Sequence, residues 1–181
     1  MNTNIHIITK QGKRIALVDW QLSYGLPIGS DKVGMFFSTK DRKLAEDIKD
    51  YGELTVNEQL MRVLDKFREK VGPVIINGFN RNQAKQESLF EQGYRTAVYS
   101  PHVALMAADI ETKTAAQTQE WVKILQRVAA ELGIKIRIGF KQYLSAGQTF
   151  IHLDVTPEYY AVGKPFHSMP HPIAWEQTLT W

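Results

Sequence analysis

Phe150-Ile151-His152-Leu153-Asp154-Val155 reads as a strand by its alternation. Ile151, Leu153 and Val155 fall on one face, and Phe150, His152 and Asp154 on the other. The apolar face requires a core behind it. A His and an Asp sharing the second face indicate a site rather than a plain core strand. Upstream, residues 134–140 read as the partner strand, with Gly147 in the turn between them. Before them, residues 114–132 carry the clearest helical signal in the chain. Trp121, Leu125, Val128 and Leu132 line one face, and Gly133 closes the helix.

Working back toward the N-terminus, Ala107-Ala108-Asp109-Ile110 is a further short strand, and residues 94–106 are irregular around Pro101. Residues 82–92 form a helix ending at Gly93, and Val74-Ile75-Ile76 a short buried strand. Thr55 with Glu58 makes a capping box, which opens a helix bearing Val56, Leu60, Val63, Leu64 and Phe67 and stopped by Gly72-Pro73. Residues 41–51 are a short polar helix begun by Asp41, residues 21–40 a loop, and residues 4–8 and 14–20 a hairpin about Gly12. The tail, 156–181, holds four prolines, His167, His171, Trp175 and Trp181, and reads as an irregular wrap packed on the core. The order of elements predicts one α+β domain over 1–181, a small antiparallel sheet with helices packed on one side.

Composition removes several function classes. The chain has 181 residues and a formal net charge of +3, with its basic residues scattered, so nucleic-acid binding has no electrostatic footprint. It has no cysteine, which excludes disulfides, thiolate metal sites and a Cys nucleophile. The first residues lack a basic segment followed by an apolar run, so no secretory signal is expected and synthesis as a cytosolic chain is. No run of about 18 apolar residues predicts a membrane span. Oligomeric state leaves no trace in the sequence.

The chemistry concentrates in Ser100-Pro101-His102-Val103-Ala104-Leu105-Met106-Ala107-Ala108-Asp109-Ile110 and in the strand of His152. Asp109 lies among small and apolar residues, where a carboxylate is rarely buried unless paired or bound to a metal. His102, Asp109 and His152 together make three N/O ligands with an open fourth position, the set that catalytic zinc requires. On spacing alone a second reading stands beside it: a buried His102–Asp109 pair with a solvated His152. His6, in the first strand, has no acidic or histidine neighbour at useful spacing and reads as an ordinary surface residue, as do His167 and His171.

Ser-x-His-x(6)-Asp followed about 40 residues later by Phe-Ile-His-x-Asp-Val resembles the zinc D-Ala-D-Ala peptidases (peptidase family M15), which share their fold with the hedgehog signalling domain. Leu64-Asp65-Lys66-Phe67-Arg68-Glu69 and Pro73-Val74-Ile75-Ile76-Asn77-Gly78-Phe79-Asn80-Arg81 are similar to that family's helix, strand and Ser-Gly-Tyr-Arg turn. Arg137-Ile138-Gly139-Phe140 is similar to the strand before its second motif, so the resemblance covers about residues 55–157. It implies a hedgehog/DD-peptidase-like fold and zinc held by His102, Asp109 and His152. Three departures stand out. Leu105 replaces a usual Gly, which implies close packing or an unusual backbone angle there. Asn80 stands where the family has its substrate-binding Arg, with Arg81 one residue later. Thr149 stands where many members carry the acidic base.

The resemblance therefore implies a zinc peptidase acting on peptidoglycan stem or cross-bridge peptides, of D-Ala-D-Ala carboxypeptidase or endopeptidase type. The absent leader suggests a phage or prophage lysis enzyme that reaches the bacterial cell wall after release. Arg81 either clamps a substrate carboxylate or lies on the surface. Ser100 touches substrate or caps its loop. Asp154 is either the base for the attacking water or a partner of His152 or an arginine. A zinc-stabilised binding module without hydrolysis is the alternative function on the same fold.

Overall fold

A computed structural model describes residues 4–93 and 100–159. The expectations for His167, His171, Trp175 and Trp181 lie outside the described residues, as does the 94–99 part of the irregular segment.

Two small sheets form. In the first, β1 (Ile5–Ile8) pairs antiparallel with β2 (Arg14–Ala16) and parallel with β3 (Leu54–Asn57), in the order β2-β1-β3. The second is antiparallel throughout, in the order β4 (Ile76–Gly78), β5 (Ala107–Glu111), β7 (Phe150–Asp154), β6 (Arg137–Gly139). One small antiparallel sheet was expected from the sequence; the parallel pair β1/β3 adds a second sheet of mixed direction.

The second strand of the N-terminal hairpin stops at Ala16, short of the expected 20. Leu17, Trp20 and Gln21 then bury one face of helix α1 (Leu17–Tyr24), taking residues expected to be strand and loop. Gly25, at φ 74°, closes it in the left-handed conformation. The following loop is tied down by side chains. Gln21 donates to the carbonyls of Ser30 and Lys32 (2.9 Å each) and accepts from the Gly29 amide (2.8 Å), and Trp20 Nε1 donates to the Val33 carbonyl (2.9 Å). Helix α2 (Arg42–Tyr51) begins after Asp41, as expected.

The next helix does not start at Thr55. Residues 54–57 pair with β1, and α3 (Glu58–Val71) is capped instead by Asn57, whose Oδ1 accepts from the amides of Gln59 (3.0 Å) and Leu60 (3.1 Å). The β-branched Thr55 serves the strand, and the short Asn side chain serves the cap. The strand expected at Val74-Ile75-Ile76 begins only at Ile76, and Ile75 is 53% exposed rather than buried. Helix α4 (Gln83–Glu91) follows, with Asn82 as its cap.

Helix α5 (Ala115–Leu132) runs between Thr114, whose side chain accepts from the Gln117 amide, and Gly133. It packs on β7, and α3 packs on α5. Leu125, Val128 and Ala129 are buried with Ile110, Ile138, Ile151 and Leu153 of the sheet and with Leu60, Leu64 and Phe67 of α3. Phe67 meets Trp121 edge-on, 5.3 Å between centroids. Each such side chain contributes about 1.5–3 kcal/mol by leaving water. This packing fixes the register of β7, and a slip of one residue would send His152 into the core.

The short helix α6 (Lys141–Ser145) joins β6 to β7, and α7 (Thr156–Tyr159) follows β7. Among the described residues, no helix is long and apolar enough to cross a membrane.

Candidate metal centre

Register sets the site. Across the second sheet, Gly78 lies opposite Asp109, Asp109 opposite His152, and His152 opposite Gly139. At the next position on this face, Asp154 lies opposite Ala107 and Arg137; in the other direction Glu111 lies opposite Phe150. All of these share the face turned away from α5.

His102 arrives from outside the sheet, in the turn before β5. Ser100 is buried; its hydroxyl accepts from the His102 amide (3.3 Å), and its carbonyl accepts from Val103 (2.9 Å). Leu105 adopts the left-handed conformation, φ 62°, alone among the described non-glycine residues. That is the unusual backbone angle expected at this position, and for a leucine it costs about 1–2 kcal/mol.

The three side chains converge. His102 Nε2 lies 3.2 Å from His152 Nδ1 and 3.2 Å from Asp109 Oδ2, and His152 Nδ1 lies 2.9 Å from Asp109 Oδ1. Zinc–ligand distances of about 2.0–2.1 Å place the corners of a tetrahedron about 3.3 Å apart. The three donors are already close to that spacing.

The outer hydrogen bonds select which nitrogens face inward. His102 Nδ1 meets the Phe79 carbonyl at 2.5 Å, which leaves Nε2 to face the centre. His152 Nε2 lies 3.4 Å from Asp154 Oδ2, which leaves Nδ1 to face it. A ligand histidine characteristically has its other nitrogen held this way. Both imidazoles are about 3% exposed and the Asp109 carboxylate 17%, so the centre opens to solvent on the Asp109 side. His102, Asp109 and His152 thus form a group that could hold one metal ion. His6 does not join them: it stands on β1 of the other sheet, 2.8 Å from Arg14.

Electrostatics agree with a cation there. Burial alone would raise the carboxyl of Asp109, yet His102 and His152 outweigh it and hold it below the usual range. Burial alone would lower His152, yet Asp109 and then Asp154 raise it. Without a metal, a proton on the imidazole supplies the positive charge that this buried carboxylate requires.

Asp154 is fully buried. Its Oδ2 accepts from Arg137 Nε (2.8 Å) and faces His152 Nε2; its Oδ1 accepts from the Thr156 amide (3.1 Å) and from the Thr156 hydroxyl. Burial pushes its pKa up, but His152, Arg137 and Thr156 together bring it below the ordinary carboxylate value. Every direction around this carboxylate is used.

Asn80 does not project into the site. It is 9% exposed, donates to the Thr55 carbonyl (2.9 Å), and gives its amide to Asp47 of α2 (2.9 Å). Asp47 thereby anchors the loop whose Phe79 carbonyl orients His102. Arg81 is the residue nearer the ligands. Its amide donates to the His102 carbonyl (3.3 Å), and its guanidinium, half-buried, donates to Gln86 Oε1 (2.7 Å).

Two contributors escaped the sequence reading. A Cβ added to Gly78 would collide with Asp109 Oδ2 and lie 3.1 Å from Cγ, so only glycine leaves room for the ligand. Tyr143 of α6 lies against Phe150, ring centroids 3.9 Å apart. Burial pushes its phenol up first, Asp109 raises it further, and Gln142 and Arg81 oppose. Tyr143 stands in no motif, and Gly78, though part of the Pro73–Arg81 stretch, gains its closeness to Asp109 only once β4 and β5 are adjacent.

By sequence, no protein family and no curated protein matches this chain. By structure it is similar to the L-Ala D-Glu endopeptidase ChiX of Serratia marcescens, with a TM-score of 0.51 and 18% identity, over 67% of this chain and 92% of that one. That likeness is one of fold.

Proposed function

We propose that this chain is a zinc-dependent peptidase acting on the peptides of peptidoglycan. The observation that carries the reading is the convergence of His102 Nε2, His152 Nδ1 and the Asp109 carboxylate, with the other nitrogen of His102 bonded to the Phe79 carbonyl and that of His152 facing Asp154 at 3.4 Å. A solved structure of similar fold is that of an endopeptidase named for cleaving an L-Ala–D-Glu bond, which belongs to the same class of peptide. Carboxypeptidase and endopeptidase action both remain within this reading, as does action at the cell wall by a phage-type lysis enzyme.

When bound, zinc supplies Lewis acidity toward the scissile carbonyl and makes water a nucleophile near neutral pH. The chain's own residues do the rest. Asp154 is a positioning residue: it keeps the proton on His152 Nε2 and so keeps Nδ1 available. We assign it this role rather than the base's because Arg137, Thr156 and His152 surround it. Among the described residues, Glu111 is the remaining carboxylate on this face. It belongs to the pair next to Asp109–His152 on that face and is held by Asn77 Nδ2 at 2.9 Å. We assign to Glu111 the proton of the attacking water, the task for which Thr149 has no suitable group. To Arg81, whose amide is bonded to the ligand loop, we assign the binding of a carboxylate of the substrate. Ser100 is assigned to the loop rather than to substrate.

The test is digestion of purified peptidoglycan by the zinc-loaded protein, with and without a chelator. New muropeptides that vanish on chelation support the reading. No change with zinc fully bound would leave a zinc-stabilised binding module instead. Glu111→Gln should lower turnover by about 10²–10⁴-fold with zinc retained.

A further inference from the structure

In the proposed mechanism zinc and Arg81 flank the substrate, and the scissile carbonyl oxygen still has no donor from the protein. The side of the centre toward Asp154 is closed, since Arg137 and Thr156 fill it. The exposed part of the centre is the Asp109 carboxylate, and Glu111–Phe150 is the next pair along that face. Tyr143 packs on Phe150. Its amide bonds the Phe140 carbonyl (3.1 Å) and its carbonyl accepts from Gln148 (2.8 Å), which ties it to the end of β6, beside the residue opposite His152. Its ring is tilted 35° on Phe150, itself two residues before His152 on the same face. The side chain is therefore fixed at backbone and ring, packed on Phe150 at the edge of the face that bears Asp109 and His152.

We propose that Tyr143 is a catalytic residue of this site, donating a hydrogen bond from its phenol to the substrate's carbonyl oxygen as that oxygen gains negative charge. The inference rests on the peptidase reading and deepens it. No proton need be transferred: the O–H stays on tyrosine, and the bond shortens as the charge develops. Burial keeps the phenol protonated well above neutral pH, so the donor is present wherever the enzyme works. A preorganised donor of this kind, partly screened from water, stabilises the transition state more than the ground state. Its loss should appear in kcat rather than in KM.

The experiment is Tyr143→Phe, which retains the ring against Phe150 and removes only the hydroxyl. Four quantities are read: zinc stoichiometry, thermal midpoint, kcat and KM on a stem peptide, and calorimetric affinity for a phosphinate analogue of that peptide, whose tetrahedral charged oxygen imitates the developing one. The expected result is one zinc and an unchanged midpoint, kcat lower by about 10²–10³-fold, KM within about twofold, and a comparable loss of phosphinate affinity. A variant with kcat and phosphinate affinity within about twofold of the unmodified protein overturns the proposal, as does a kcat loss matched by loss of zinc. Should Tyr143→Phe fail to fold, Phe150→Leu keeps the hydroxyl but frees the ring. It should lower kcat by about tenfold at constant KM, and unchanged kcat overturns the proposal. Failure of the underlying reading looks different: the unmodified protein then binds no zinc or leaves the peptide intact.

Discussion

Asp154→Asn preserves shape and removes one charge, and two separate losses should follow. Asp154 is fully buried against an Arg137 side chain that is 7% exposed, their atoms 2.8 Å apart. Removing one partner of such a pair leaves a buried uncompensated charge, a cost of about 3–5 kcal/mol. For a chain of this size that is a fall of about 6–20 °C in the thermal midpoint. The second loss is at the metal. Without the carboxylate opposite Nε2, His152 is free to turn or change tautomer, and zinc affinity should fall about 10–100-fold. The double variant Arg137→Met/Asp154→Leu separates the two. It removes both charges, so most of the stability should return, while zinc affinity should not, because His152 still lacks its partner. Calorimetric zinc titration and thermal unfolding of the three proteins give both readouts. At saturating zinc, Asp154→Asn should keep most of its turnover. A loss of about 10²–10⁴-fold with zinc bound would make Asp154 the base and refute its assignment as a positioning residue.

Gly78→Ala sets a Cβ against the Asp109 carboxylate, 3.1 Å from Cγ, and should weaken zinc binding at least about tenfold and cost about 1–3 kcal/mol in urea unfolding. At Leu105, φ 62°, replacement by Gly should leave the protein about 1 kcal/mol more stable than replacement by Ala, since both lose the side chain and only Gly is relieved of the left-handed strain; equal stabilities would contradict it. The zinc-free protein should show a pH optimum of stability. His152 is raised above its ordinary 6.5, so its contribution is full below that pH and lost as pH rises through the raised value. Asp109 and Asp154 are lowered from 3.8, so theirs is present above that pH and lost below it. The thermal midpoint without zinc should therefore peak between about pH 4 and 6.5, and the increase on adding zinc should grow from pH 6 to pH 8; a zinc shift that shrinks over that range would count against the site.

Much of the site was legible because it is written in local pattern. Alternation in Phe150–Val155 needed only the two-residue period of a strand, and that period put His152 and Asp154 on one face. Helix α5 was legible from its stripe and from Gly133. Leu105 was legible through family resemblance, as a residue standing where glycine is usual, and the backbone angle bears that out. What failed is long-range. Thr55 has the chemistry of a cap, but parallel pairing with β1, some fifty residues away in the chain, drew residues 54–57 into a sheet and passed the cap to Asn57. The hairpin reading also failed past Ala16, because Trp20 and Gln21 find burial and partners in the loop that follows, and helical spacing serves them better than alternation. Gly78 lay in a recognised stretch, but the room it leaves for Asp109 depends on a neighbour on another strand, and Tyr143 carried no signal of its own.

The central claim is one zinc on His102, Asp109 and His152. Its most direct test is metal analysis and calorimetric zinc titration of protein purified without added metal, beside His152→Ala. One zinc per chain and a higher thermal midpoint when bound are expected, with loss of both in the variant, since a three-ligand site rarely survives losing one ligand. Fewer than about 0.2 equivalents with no thermal shift, or full binding by His152→Ala, would contradict it.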